Sequence, residues 1–318
     1  MTQAATVLAR AVRGGLVDAG GALQGRVSVH AIGASNFVHR VEVDGAPVAY
    51  VKSTGQAAAM DGDDAVARES EVLGLIQGLC PSPAVLPLTD ADGLWLTPVV
   101  GTSLAELATV GDVEALSDAF ASVGKALAGL HLVPVSPGAP VMRLPWPLLD
   151  ELPGHMDTAR FHEVPTRVIE TARGLGDVTA SVKGAWKGGA WTHGDVSAMN
   201  AILGPDGTVR LIDWEGSGIG DPSWDLAGAN LMARFVAPTW FSVAWARLLD
   251  SYRVAGGPAE PPGAAMLCVR TLVAAYQQAV GAFAVGSMPD ADGTVTRLLA
   301  EVEALCARFR MEGADVLP

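Results

Sequence analysis

The stretch WTHGDVSAMNAILGPDGTVRLIDWEGSGIGDPSWDLAG, residues 191–228, decides how the rest of the chain is read. Two short apolar runs, NAIL and VRLID, flank Pro205-Asp206-Gly207, the pattern of a β-hairpin. With Asp206-Gly207 as a two-residue turn, antiparallel register sets Asn200 opposite Asp213. A four-residue loop including Pro205 shifts the register by two but keeps both residues at the same open end. Asp195 lies just before the first strand, in the incoming loop. Two oxygen ligands on short strands, beside a third carboxylate, are what Mg²⁺-assisted phosphoryl transfer requires. The hard cation takes oxygen donors together with substrate phosphates, and the third carboxylate orients or deprotonates an acceptor hydroxyl. Turn chemistry alone explains Asp206 and Gly207, but not an acid that ends an apolar run.

Toward the N-terminus, residues 26–52 alternate in RVSVHA, FVHRVEV and PVAYVK, punctuated by Gly33-Ala34-Ser35-Asn36 and Asp44-Gly45, which predicts a three-stranded meander. A two-residue Asp44-Gly45 turn sets Lys52 opposite Phe37 and beside the loop of Gly33, Ser35 and Asn36. Backbone N–H groups of that loop and the Ser35 hydroxyl can cradle phosphates, with Lys52 as a point charge; a lysine ending a strand is also an ordinary solvated residue. A helix capped by Asp is expected from Ala65 to about Leu79. Its Glu69 shares a face with Val72, Leu73 and Ile76, whereas Glu71 falls beside Gly74, Leu75 and Gly78. A carboxylate on an apolar face needs a partner, and Lys52 is the nearest candidate in chain order. Pro81, Pro83 and Pro87 break this helix, and a second hairpin is expected across residues 85–100, turning at Asp92-Gly93. From Ser103 helical patterns dominate, one of them over 113–132, so the composition shift at 96–101 divides the chain into 1–97 and 98–318. A β-rich first third followed by a mostly helical remainder is not a βαβ alternation, which excludes a doubly wound fold and gives an α+β class.

Composition narrows the function classes. Half of the 318 residues are hydrophobic and 17% are charged, so disordered and fibrous readings fail. A formal charge of −13 disfavours nucleic acid or an anionic membrane surface as partner and suits a cationic one. Cys80, Cys268 and Cys306 are widely spaced with no CxxC pair, as expected of reduced thiols in a cytoplasmic protein. Arg10 and Arg13 interrupt the N-terminal apolar segment, which reads as a short amphipathic helix and not as a secretory signal. Arg270, Gln277 and Gln278 make 267–285 a core helix and not a membrane span.

IGASNFVHRVEV (32–43), YVK (50–52), ARESEVL (67–73), LAGLH (127–131), HGDVSAMN (193–200) and IDWEGSGIGDPSWDLA (212–227) together resemble the aminoglycoside phosphotransferase and choline kinase group, relatives of protein kinases. Asp195 and Asn200 keep the spacing of a kinase catalytic loop. The resemblance implies a bilobal protein-kinase-like fold: a small antiparallel-sheet N-lobe with one key helix and a larger, mainly helical C-lobe. It implies Asp195 as catalytic base or hydroxyl-orienting acid, Asn200 and Asp213 as Mg²⁺ ligands, Lys52 on the α and β phosphates, and Glu69 positioning Lys52. Gly33, Ser35 and Asn36 would form the phosphate loop, without the full GxGxxG of protein kinases. Residues 96–99 would be a hinge binding adenine through backbone atoms, at Thr97 and Val99. His193 and Asp225 resemble structural supports of the catalytic loop. Residues 134–189 match no motif and are expected to contribute to the acceptor pocket, while Glu215 is expected to be solvated. The reading is an O-phosphotransferase using ATP, or GTP, and Mg²⁺ on a small-molecule hydroxyl, with a cationic antibiotic such as an aminoglycoside suggested by the acidic charge. Two alternatives stand beside it. One is a kinase for Ser or Thr of a precursor peptide, working with a lyase partner; the other is a nucleotide-binding pseudokinase, disfavoured because Lys52, Glu69, Asp195, Asn200 and Asp213 are all present.

Overall fold

Alternating apolar residues build a four-stranded antiparallel sheet in the first third of the chain. The computed structural model describes residues 3–32, 37–53, 65–88, 93–156, 163–285 and 291–314. Helices α1 (Gln3–Arg13) and α2 (Ala19–Leu23) precede strands β1 (Val27–Ala31), β2 (Phe37–Val43) and β3 (Ala46–Ser53), and β4 (Leu94–Leu96) pairs with β3. The amphipathic α1 buries Val7 and Ala11 in a small core with Val41, Ala49, Val51 and Trp95. Lys52 alternates with Val51 and leaves the sheet on the opposite face, where helix α3 (Ala65–Ile76) presents Glu69.

Three expectations about these elements need correction. The Asp44-Gly45 turn pairs Val43 with Ala46, but a bulge between Val41 and Glu42 shifts the register, so Lys52 faces Val38 and not Phe37. Pro47 stands at the bulge, where its missing N–H cannot serve the ladder. Helix α3 ends at Ile76, short of Leu79, because Gly78 takes φ +78° and Pro81 follows. Of the second hairpin only the outgoing arm is a full strand. Val85 bridges Leu96, and Leu86 N–H donates to the Trp95 carbonyl at 2.8 Å, between the prolines at 83 and 87. The helix cap before Ala65, the turn residue Asp92 and the loop residues Gly33, Ser35 and Asn36 lie outside the described residues.

The rest of the chain is mainly helical. Strand β5 (Thr102–Ser103) runs into α4 (Leu104–Val110) through a capping box of Ser103 and Glu106, and α5 (Val113–His131) follows. Then come α6 (Glu163–Arg173), α7 (Gly176–Ala185), β6 (Ala190–Thr192), β7 (Ala201–Leu203), β8 (Val209–Leu211), β9 (Gly218–Gly220), α8 (Pro222–Val236), α9 (Phe241–Val254), α10 (Ala264–Val285) and α11 (Ala291–Ala314). The small strands form two sheets, β5-β7-β8 and β6-β9. One continuous apolar cluster joins Val72, Leu73, Ile76, Leu94 and Leu96 to Phe120, Leu127 and Leu211. It therefore crosses the expected division at 97/98. A second cluster packs Val168, Ile169, Val178 and Val182 of α6 and α7 with Leu272, Val295 and Val302 of α10 and α11. The two helices within residues 134–189 turn their apolar faces into this core. Among the described residues no helix is long and apolar enough to cross a membrane.

Candidate active site

The hairpin at the centre of the sequence forms with a turn of odd length. Gly204 N–H donates to the Thr208 carbonyl at 2.9 Å, which leaves Pro205-Asp206-Gly207 as the turn, with Gly207 at φ +73°. Neither the two-residue nor the four-residue loop is adopted, and the register moves by one. Ala201 faces Leu211, and Ile212 N–H donates to the Asn200 carbonyl at 2.9 Å. Asp213 is thus not the cross-strand partner of Asn200. It stands one residue past that pair in left-handed conformation, φ 69° and ψ 67°, a region that Asp tolerates better than most side chains.

Lys52 Nζ donates to Glu69 Oε2 at 2.7 Å and also to Asp213 Oδ1. Glu69 is fully buried, and its Oε1 accepts the Trp214 N–H at 3.2 Å. One turn face of α3 thereby grips both the strand lysine and the backbone just after Asp213. The neighbouring Arg68 extends the grip, donating from Nε to the Ser217 carbonyl at 3.0 Å and from Nη2 to the Val141 carbonyl. Glu215 does not stand apart in solvent as expected: it is half-buried, and oxygens of Glu69, Asp213 and Glu215 lie within 4.8 Å of one another. Burial opposes charge on Lys52, but Glu69, Asp213 and Glu215 outweigh it and raise its pKa. Burial and the Asp213 charge push Glu69 upward against Lys52, because one ammonium serves several carboxylates.

Beside this cluster, the loop 193–200 is held by its own side chains and by α8. Asn200 Nδ2 donates to the Asp195 carbonyl at 3.0 Å and to Asp195 Oδ2 at 3.1 Å. Asp225 accepts the N–H groups of His193 and Gly194 at 2.7 and 2.9 Å, and His131 Nε2 lies 3.1 Å away. His193 Nε2 is 2.9 Å from the Ile212 carbonyl, and Trp224 Nε1 donates to the Gly194 carbonyl at 2.9 Å. Gly194 has φ +85°, and a Cβ there would collide with the Gly216 carbonyl, so glycine is required between His193 and Asp195. Trp224 meets this loop without having been singled out as a site residue, and so does Arg270, whose Nη2 donates to Asp195 Oδ1 at 3.1 Å. The signal for Arg270 was a lone cation in the apolar run 267–285.

The donor set suits a hard divalent cation. With both of its neighbours acceptors, the Asn200 amide nitrogen is committed as donor, which leaves Oδ1 as the atom able to act as ligand. The Asp213 carboxylate could supply a second oxygen, and oxygen donors are the chemistry Mg²⁺ selects. At the expected hinge, the Thr97 N–H already donates to the Ala84 carbonyl at 2.9 Å and its hydroxyl accepts the Ala84 N–H at 2.9 Å. A base at Thr97 is therefore limited to its carbonyl, while Val99 is half-buried beyond it.

A family described as "Phosphotransferase enzyme family" matches residues 26–267. No curated protein sequence matches the chain. Among solved structures, a choline kinase from Streptococcus pneumoniae is similar over 92% of this chain and 99% of its own, with 15% identity and a TM-score of 0.61. A macrolide 2'-phosphotransferase from Brachybacterium faecium covers 92% of this chain and 97% of its own, at 19% identity and a TM-score of 0.57. An aminoglycoside phosphotransferase from Streptomyces rimosus, solved with ADP and streptomycin, covers 85% and 97%, at 21% identity and 0.57. The small antiparallel sheet followed by a larger helical part is the kinase-like α+β fold that these structures share.

Proposed function

This chain belongs to the phosphotransferase enzyme family, and from that membership we propose that it moves the γ-phosphoryl group of ATP to a hydroxyl of a small molecule. The observation that carries the reading is the convergence of Lys52, Glu69 and Asp213 beside the Asp195–Asn200 pair. Lys52, held by Glu69, binds the α and β phosphates. Asp195 orients the acceptor hydroxyl; its oxygen bonds to the γ-phosphorus, the bond to ADP breaks, and the hydroxyl proton passes to Asp195. Mg²⁺ held by Asn200 and Asp213 would neutralise charge on the phosphates. Gly33, Ser35 and Asn36 cover the phosphates, and backbone atoms at Thr97 and Val99 receive the base. Residues 1–97 and 98–318 act as two lobes around this cleft, in a cytoplasmic setting where ATP is held. A net charge of −13 favours a cationic acceptor such as an aminoglycoside.

A transfer screen with γ-labelled ATP and GTP tests this, offering aminoglycosides, macrolides, amino alcohols, neutral sugars and Ser/Thr peptides, each with and without chelator. The reading expects chelator-sensitive label on a hydroxylated small molecule, with ATP as donor. Label on peptides alone, or transfer that survives chelation, contradicts it.

A further inference from the structure

Among the described residues, the proposed chemistry leaves the buried cation Arg270 unused. Arg270 sits on α10 among Cys268, Val269, Thr271 and Leu272, all buried, and its side chain is 4% exposed. A guanidinium out of water is costly unless paired. Its pairing is with Asp195 Oδ1, at 3.1 Å, while its Nε has no hydrogen-bond partner among the described residues. The guanidinium lies over the Trp224 ring, 5.3 Å from the centroid, and the same Trp224 donates to the Gly194 carbonyl. Asp195 is 35% exposed, so its carboxylate faces the open side and Arg270 stands behind it. Among the described residues, the hydrogen bond from Arg270 to the site is the one to that carboxylate. With Oδ1 on Arg270 and Oδ2 on Asn200, both oxygens are anchored and the carboxylate plane cannot rotate freely. The space for this arrangement depends on Gly228, where a Cβ would stand 3.3 Å from Arg270 Nε and 2.9 Å from the Val196 carbonyl.

We propose that Arg270 is a positioning residue for phosphoryl transfer, fixing the Asp195 carboxylate from behind while the acceptor hydroxyl meets it from the open side. Arg270 lies on α10 beyond residue 267, where the family match ends. The role rests on the phosphotransferase reading of the site. Arg is the residue type for it, because its charge is permanent and its planar fork is preorganised.

The test compares wild type, Arg270→Ala, Arg270→Lys and Asp195→Asn in acceptor-free hydrolysis of Mg-ATP and in transfer to the acceptor found by the screen. Melting temperature and ADP affinity are read on the same preparations. Arg270→Ala is expected to lower kcat about 100-fold, as a misplaced catalytic group does, with the KM for ATP within about threefold. Millimolar guanidinium is expected to restore part of that kcat, and to restore none in Asp195→Asn. A kcat for Arg270→Ala within about threefold of wild type overturns the role, as does a loss that guanidinium does not relieve and that follows the melting temperature. Should the alanine variant fail to fold, Arg270→Lys carries the test. A lower kcat at unchanged KM supports positioning, and wild-type kinetics overturn it. Asp195→Asn with wild-type activity, or a wild-type protein that turns over no ATP, overturns the phosphotransferase reading itself and the role with it.

Discussion

Asp225 is fully buried, yet it accepts two backbone N–H groups of the loop that carries Asp195 and stands against His131. Burial alone would raise its pKa, but the hydrogen bond and charge of His131, with the charge and N–H of His193, hold it below the ordinary value of 3.8. A carboxyl whose pKa is lower in the folded state adds stability above its unfolded pKa, and that stability is lost as pH falls through the lower, folded value. Asp225→Asn is therefore expected to lose about 3 kcal/mol at neutral pH, since three partners face a charged acceptor. Urea unfolding from pH 7 to 3 checks this: the gap to wild type should narrow as pH falls below about 4. A gap that stays constant to pH 3 contradicts the assignment. At this scale the sequence was most informative where residue type and spacing coincide, as at Asp195, Asn200, Asp213, Lys52 and Glu69. It was silent on the pairing of Arg270, because the partner lies 75 residues away and only packing of α10 brings them together.

The elements around the site hold their places by close backbone approach. On α5, a Cβ at Gly124 would overlap the Leu248 carbonyl oxygen of α9 and come within 3.0 Å of the Tyr252 nitrogen. Tyr252 in turn sits 2.8 Å from His131 Nδ1, so this crossing supports the group behind Asp225. Gly129, on the same helix, has nothing within 4 Å of its would-be Cβ. Gly124→Ala is expected to destabilise by about 3 kcal/mol through overpacking, and Gly129→Ala to stabilise by about 1 kcal/mol through helix propensity. Denaturant midpoints of the two variants check the pair; equal effects would contradict the crossing. Which elements exist was legible from alternation and helical spacing, but their registers were not. A single extra residue, in the β3 bulge or in the Pro205-Asp206-Gly207 turn, moves every later pairing by one. Proline at 47 and 205 marks both places, although it does not say how the ladder adjusts.

For the whole molecule, the shift from strand to helix patterning gave the α+β class, and the combination of HGD with IDW gave the kinase-like expectation that the fold bears out. One apolar cluster runs through the parts on either side of residue 97. Helix α3 is tied across that position by Glu69 to Trp214 N–H and by Arg68 to the Ser217 and Val141 carbonyls. On the proposed function, a chain of net charge −13 would need local cations to bind a polyphosphate, and Lys52 with a divalent ion would matter more to the cleft than the overall balance. The central claim is that Asp195 carries phosphoryl transfer at this cluster. Its most direct test is the single-turnover rate of γ-phosphoryl transfer by Asp195→Asn, with ADP affinity measured on the same protein. Transfer should fall about 1,000-fold or more while ADP affinity stays within about threefold of wild type; transfer within about tenfold of wild type would contradict the account.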